Sequence, residues 1–407
     1  MTDPIPAGSP GGSPGLPELA ALDPFDLVRP RYGGASLADV IPSALAVLGV
    51  AGAPDRLGLT TRLAGIRRIG VLLVDGLGWH QIPVAAPYAP TLAELAGYGT
   101  PITSGFPSTT PTSLVSLGTG VPPGAHGVLG VRGKLPGDTR ILTHTDWAGD
   151  PDPRVWQPVR TQWELAAAAG VTVTVLSRPE FAGSGLTEAA NRGGAYQGAA
   201  DPEALAAGMI AALCAGDGPT LVYGYHPDLD RSGHVSGVDS TLWRTAVTGL
   251  DRLLDRLVDA LPADAALLVT ADHGQFNVPA GDRFDLDADP RLSGDVLVAA
   301  GEPRVRYLHV RPGAVDDVIA TWSAVLGPAA RVTTRAEAVA EGWFGPVPEA
   351  HLDRIGDVVV TCHGRAVVLA SRRAPFEARL VGYHGSCTAT EMTVPLLVLT
   401  GSGPVRR

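Results

Sequence analysis

The sequence predicts an α/β fold: a mainly parallel sheet sandwiched by helices, with a smaller inserted α+β subdomain. Three observations predict it. From about residue 36 onward, short apolar runs rich in Val, Leu and Ile alternate with segments of helical periodicity. Several of those runs are nearly continuous rather than alternating, as strands buried on both faces are. The pattern breaks between 280 and 383 and resumes over 392–400. With 407 residues, 45% hydrophobic and 18% charged, the chain can bury a large core and is neither fibrous nor wholly disordered.

The elements follow in chain order. Residues 1–35 are rich in Pro and Gly and read as a flexible tail; they lack the basic start and apolar stretch of a secretory signal. The core is expected over 36–279 and 384–407. IGVLLVD (69–75) is a buried strand ending in a carboxylate, and PTLAELAG (90–97) a helix. TQWELAAAAG (161–170) is a helix closed by Gly170, followed by the strand VTVTVLS (171–177). Asp201 as N-cap and Pro202 at the first helical position open the next helix, before the strand TLVYGY (220–225). Over 242–261, Leu250, Leu253, Leu254, Leu257 and Leu261 share one helical face, and AALLVTADHG (265–274) supplies another strand. The 280–383 insertion combines an Asp-rich loop, RVRYLHV, the helix AVDDVIATWSAVLG and the strands DVVVTC and AVVLAS. MTVPLLVLT (392–400) then returns to the core style.

A formal net charge of −10 opposes duplex nucleic acid or an anionic membrane as a partner, so a phosphate-bearing ligand needs a locally positive site. Cys214, Cys362 and Cys387 are too few and too scattered for a disulfide framework or a cysteine zinc site. They fit a reducing, cytoplasmic setting. No window approaches the ~18 uninterrupted apolar residues that a membrane-spanning helix needs.

In an open parallel sheet, ligands bind beyond the carboxyl ends of the strands. Asp75 stands there, as do Asp230 and His234 in HPDLDRSGH, and Asp272 and His273 in ADHG; His384 in GYHG lies next to the final strand. Three Asp and three His make two mixed nitrogen and oxygen donor sets, which suit Zn²⁺ or a similar transition metal better than calcium or magnesium. Taken singly, each reads equally as something plainer: a capping Asp, an i,i+4 helical pair, a loop histidine. A fifth segment, TSGFPSTTPTSLVSLGTGVPPGAHG (103–127), places hydroxyls where a proline-punctuated turn enters a short apolar helix. Such a terminus favours anions, although Thr110, Thr112 or Ser113 could serve only as a cap there.

Taken together, VLLVDGLG, FPSTTPTSLVSLGTGVPPGAHG, DRSGH, TADHG and GYHG…EMTVPL resemble, in that order, the alkaline phosphatase superfamily. They are most similar to its type I phosphodiesterase/nucleotide pyrophosphatase branch, over Val71 to about Val398. The resemblance implies two divalent metal ions, most simply Zn²⁺ with Mn²⁺ as the alternative. Asp75, Asp272, His273 and the nucleophile oxygen would hold one; Asp230, His234 and His384 would hold the other. It places the nucleophile at Thr110, with Thr109 as fallback. Ser113 stands where the family often carries an asparagine that contacts a phosphoryl oxygen. His126 reads as structural. The implied activity is hydrolysis of phosphate diesters, small molecules rather than nucleic-acid duplexes, through a phosphothreonine.

A phosphomonoesterase or phosphonate hydrolase is the alternative, and a non-catalytic metal-binding protein a remoter one. FPSTTP lacks the C/S-x-P-x-R pattern that a sulfatase needs. A monoesterase commonly adds a cationic side chain, for which Arg132, Lys134, Arg178, Arg192 and Arg231 are candidates, each equally an ordinary solvated cation. Trp79 could stack on an aryl group or simply pack against a helix.

Overall fold

The computed structural model describes residues 19–405. Eight strands form the main sheet: β1 (Arg68–Val74), β2 (Thr100–Thr103), β3 (Thr172–Ser177), β4 (Ala195–Gly198), β5 (Thr220–His226), β6 (Ala265–Thr270), β7 (Thr393–Thr400) and β8 (Gly403–Pro404). Their spatial order is β8-β7-β6-β1-β5-β3-β4, with β2 paired to β7. Strands β1, β3, β4, β5 and β6 are parallel. The last apolar run does join the core sheet, but β7 lies antiparallel to both β6 and β2. Every residue of β5 and β6 is buried, as is β1 from Ile69 on, because helices cover both faces.

Five helices matter for the site: α1 (Thr110–Thr119), α2 (Gln162–Ala168), α3 (Pro202–Cys214), α4 (Asp228–Ser236) and α5 (Thr241–Asp259). Their starts follow local chemistry. The Thr161 hydroxyl and Glu164 carboxylate form a reciprocal cap on α2, and the Asp201 carboxylate accepts the Ala204 N–H at the start of α3. Helix α5 buries Trp243, Val247, Leu250, Leu253, Leu254 and Leu257, one stripe at helical spacing that joins the main apolar core. No helix among the described residues is long and apolar enough to cross a membrane.

A second, four-stranded antiparallel sheet is made by Val296–Glu302, Val305–Val310, Val358–Cys362 and Ala330–Thr334. The helix Val315–Leu326 packs on it through Val318, Trp322 and Leu326, giving this region its own apolar cluster with Leu308, Val358 and Val360. It also grips the main body. The fully buried Arg304 guanidinium makes a paired contact with the equally buried Glu391, at 2.9 and 2.7 Å.

The expectation of a flexible tail over 1–35 is corrected where it can be followed; residues 1–18 lie outside the described residues. From Leu19 on, the chain is fastened down. The Val28 N–H donates to the Cys387 carbonyl at 2.7 Å, and the Ala389 and Thr390 N–H groups donate to the Asp26 and Pro24 carbonyls at 2.8 and 2.9 Å. Leu19 and Val28 are buried. Pro and Gly content signalled irregular backbone, which here is an ordered strap held by long-range hydrogen bonds.

Candidate metal and nucleophile site

The carboxyl ends of β1, β5 and β6 lie side by side, and each hands over one part of the site. Asp75 follows β1 directly. Its N–H donates to the His226 carbonyl at the end of β5, and its carbonyl accepts the Asp230 N–H in the first turn of α4. Gly76 makes this approach feasible: its φ is +76°, and a Cβ there would stand 2.9 Å from the Asp230 Cα. The Gly76 N–H donates to Asp272 Oδ1 at 3.0 Å, tying the turn after β1 to the turn after β6.

Two groups of donor atoms result, each lying within 4.8 Å of one another: Asp75, Asp272 and His273 in one, Asp230, His234 and His384 in the other. In the first, His273 Nε2 is 3.5 Å from Asp75 Oδ1 and 3.4 Å from Asp272 Oδ2. Those two carboxylate oxygens are buried without a hydrogen-bond partner. In the second, His234 Nε2 is 3.1 Å from Asp230 Oδ2 and 3.2 Å from His384 Nε2. The His273 and His384 rings stack at 3.5 Å, joining the groups.

Backbone carbonyls fix the histidine tautomers. Nδ1 of His234 is 2.8 Å from the Gly382 carbonyl, that of His384 is 2.9 Å from the Ser108 carbonyl, and that of His273 is 3.3 Å from the Gly274 carbonyl. A carbonyl only accepts, so each neutral ring carries its proton on Nδ1 and aims the Nε2 lone pair inward. The converging lone pairs of His234 and His384, and the orphaned oxygens of Asp75 and Asp272, are stabilised by a cation and by little else. The donor set therefore fits two metal ions.

Electrostatics agrees. Burial, then the neighbouring Asp272 and Asp230, pushes the Asp75 carboxyl well above the usual range; burial, with Asp230 adding to it, lifts Asp272 to about 7. Burial drives His273 down to about 3 and His384 well below its ordinary value. Burial opposes both charges of the Asp230–His234 pair, yet their mutual attraction holds the Asp230 carboxyl low and the His234 imidazole high. A bound divalent ion reverses the logic for the carboxylates, making the ionised form the stable one.

Thr110 is the first residue of α1, and its Oγ1 lies 3.1 Å from His273 Nε2. It also forms part of the wall of a cavity of about 480 Å³. Thr109, the N-cap, is fully buried with its hydroxyl unpartnered. Ser113 is not among the residues lining that cavity. It is fully buried and its hydroxyl donates to the Asp272 carbonyl at 2.9 Å, because one helical turn from Thr110 carries it under the β6 turn. His126 is likewise buried, accepting the Val128 N–H at Nδ1 and meeting the Ser116 hydroxyl at Nε2.

None of the five candidate cations lines that cavity. Arg132 sits against Glu377, Arg178 against Asp228 and Arg192 against Glu164; Arg231 borders a different cavity, beside His226, and Lys134 meets the Leu135 carbonyl. Trp79 packs half-buried on the core. Three supporting residues escape a reading by motif. The Tyr225 hydroxyl donates to Asp75 Oδ2, Gln275 Nε2 donates to Asp230 Oδ1 at 2.7 Å, and Gln81 Oε1 accepts the Gly78 and Gln275 N–H groups. The YGY period in β5 puts Tyr223 and Tyr225 on one face, a signal that could have found the first.

The family model described as type I phosphodiesterase / nucleotide pyrophosphatase matches residues 70–387. The chain belongs to this family. It is thus a hydrolase acting on phosphoric ester bonds, in a metal-dependent family. Among solved structures it is similar to murine ectonucleotide pyrophosphatase/phosphodiesterase 5, at 20% identity over 81% of this chain and 87% of that one, with a TM-score of 0.64. An inactive variant of that murine protein in complex with AMP gives 20% identity, 82% and 88% coverage and a TM-score of 0.66. Phosphonoacetate hydrolase from Sinorhizobium meliloti 1021 gives 19%, 82% and 90%, and 0.62. These likenesses carry the alkaline phosphatase-like fold. No curated protein matches the chain.

Proposed function

We propose that the protein is a metal-dependent phosphodiesterase/nucleotide pyrophosphatase that cleaves phosphate diesters through a phosphothreonine on Thr110. The observation that carries this reading is the Thr110 hydroxyl, 3.1 Å from a buried Asp/His donor group and opening on a 480 Å³ cavity whose lining holds no Arg or Lys. A monoesterase commonly adds a cationic side chain for the extra phosphoryl charge; a diester needs room for its second substituent. Phosphonoacetate, with its carboxylate, would also call for a cation there, which weighs against the phosphonate hydrolase reading.

Asp75, Asp272, His273 and the Thr110 oxygen would hold one ion, and Asp230, His234 and His384 the other; Zn²⁺, with Mn²⁺ as alternative, suits these donors. Bound there, the ions supply a lowered hydroxyl pKa for Thr110 and positive charge for the phosphoryl oxygens. Thr110 Oγ1 then bonds to phosphorus as the bond to the leaving oxygen breaks; that oxygen keeps the electron pair and takes up a proton. In the second step a water oxygen bonds to phosphorus, the bond to Oγ1 breaks, and Thr110 is restored. Two inversions give net retention. Ser113 and Gln275 hold the β6 turn and Asp230 in place, and Tyr225 orients Asp75. Three unpaired cysteines, two of them buried, suit a cytoplasmic setting.

The test joins metal analysis to rates on bis(p-nitrophenyl) phosphate and p-nitrophenyl phosphate. Two divalent ions per chain and faster diester turnover are expected, with Thr110→Ala folded and slowed by at least about 10³-fold. Near wild-type turnover in both Thr110→Ala and Thr109→Ala would overturn the covalent mechanism.

A further inference from the structure

We propose that α4 carries, on the face turned away from the donor groups, a second ligand site that takes an organic monocarboxylate with an apolar body. A cavity of about 500 Å³, within the size range of small-molecule sites, lies where α3, α4 and α5 meet. Helix α4 presents Asp228, Arg231 and Val235 to it, the i, i+3, i+7 spacing of one helical face. Asp230 and His234 stand on another face and do not line the cavity, so an occupant leaves the second donor group free. Helix α5 contributes Leu242 and Gly249, outside its core stripe. Gly249 keeps the space open: a Cβ there would meet nothing within 4 Å.

Two features of the lining call for a ligand. His226, the last residue of β5, borders the cavity and is 2% exposed, and its Nε2 is buried without a hydrogen-bond partner. An unpaired buried polar atom costs stability, and a polar head group in the cavity supplies the missing partner. Burial lowers the His226 pKa to about 4, so the ring is neutral and has one N–H to donate. Arg231 is exposed and is in no ion pair among the described residues. Asp228, the other charged lining residue, is taken up by Arg178 at 2.6 Å. These three charges leave one positive charge, which a carboxylate balances; a phosphate dianion would leave a negative charge beside Asp228. Val235 and Leu242, 59% and 50% exposed, are apolar surface that an aliphatic body takes out of water.

The experiment titrates the metal-loaded protein calorimetrically with octanoate, octan-1-ol, octylammonium and acetate, and does not depend on the reaction at Thr110. Octanoate is expected to fill one site per chain at least about tenfold more tightly than octan-1-ol, the scale of one charge-assisted hydrogen bond, and more tightly than octylammonium. Acetate, which keeps the charge and loses the tail, binds at least about 10²-fold more weakly than octanoate. Arg231→Gln, at an exposed position, lowers octanoate affinity about tenfold and leaves that of octan-1-ol unchanged. Gly249→Leu fills the cavity and weakens both, with metal content unaltered. Octanoate that binds no more tightly than octan-1-ol, or as tightly to Arg231→Gln as to the wild type, overturns the proposal whether or not Gly249→Leu folds. Unchanged octanoate binding by a folded Gly249→Leu overturns it as well, since the carboxylate then sits on the metal ions or beside Thr110.

Discussion

The two donor groups are built in opposite ways. Asp75, Asp272 and His273 are buried at the ends of adjacent parallel strands, where register alone brings them together. Leu73 pairs with Thr270, so Asp75 and Asp272, each two residues further on, fall opposite one another. Asp230, His234 and His384 come from one turn of α4 and a loop, and the His234 side chain is about a quarter exposed, at 23%. Only a two-residue ladder, Gly382 and Tyr383 against Asn277 and Phe276, lies beside them among the described residues. Their geometry depends on Gln275, on backbone carbonyls at residues 382 and 108, and on the Arg304–Glu391 pair, whose glutamate also accepts the Ser386 and Thr388 N–H groups beside His384. The first group is as robust as the sheet, and the second is only as robust as the contacts that brace its loop.

That contrast can be broken most severely at the brace. Glu391→Gln leaves the Arg304 charge buried without a counter-charge, at an expected cost of about 3–5 kcal/mol in denaturant unfolding. Metal affinity should fall more at the second group than at the first, measured by competition with a chelator; an equal fall at both would show that the groups are not independently supported. His384→Ala sharpens the comparison by removing one ligand. One of two ions should remain by elemental analysis, with diester turnover down by about 10²-fold or more. Loss of both ions would tie the groups into one unit. The smallest effect is expected from Tyr225→Phe, which removes the hydroxyl donor to Asp75: about tenfold weaker binding at the first group and no change at the second. Weakening at the second would contradict the division.

The same contrast explains what was legible in the sequence. Strands that end in Asp or Asp-His announce themselves, because an apolar run and a polar terminus are local signals; IGVLLVD and AALLVTADHG are strands that do deliver their carboxylates to one edge. The direction of β7 was not legible, since an apolar run looks the same read parallel or antiparallel. Nor were Arg304 with Glu391 and Gln275 with Asp230, pairs 87 and 45 positions apart with no local pattern. The Ser113 hydroxyl bond to the Asp272 carbonyl was not legible either, a contact 159 positions apart with no local pattern. The stretch before residue 36 misled through its composition, since Pro and Gly reveal the absence of regular structure but not the absence of partners.

The strap from Pro24 to Val28 has a consequence for biogenesis. It binds residues 387–390, far downstream in the sequence, so it cannot dock during synthesis until those residues have emerged. His384 arrives in the same interval. A chain that stops short of it carries the Asp75, Asp272 and His273 triad yet has no way to finish the second one.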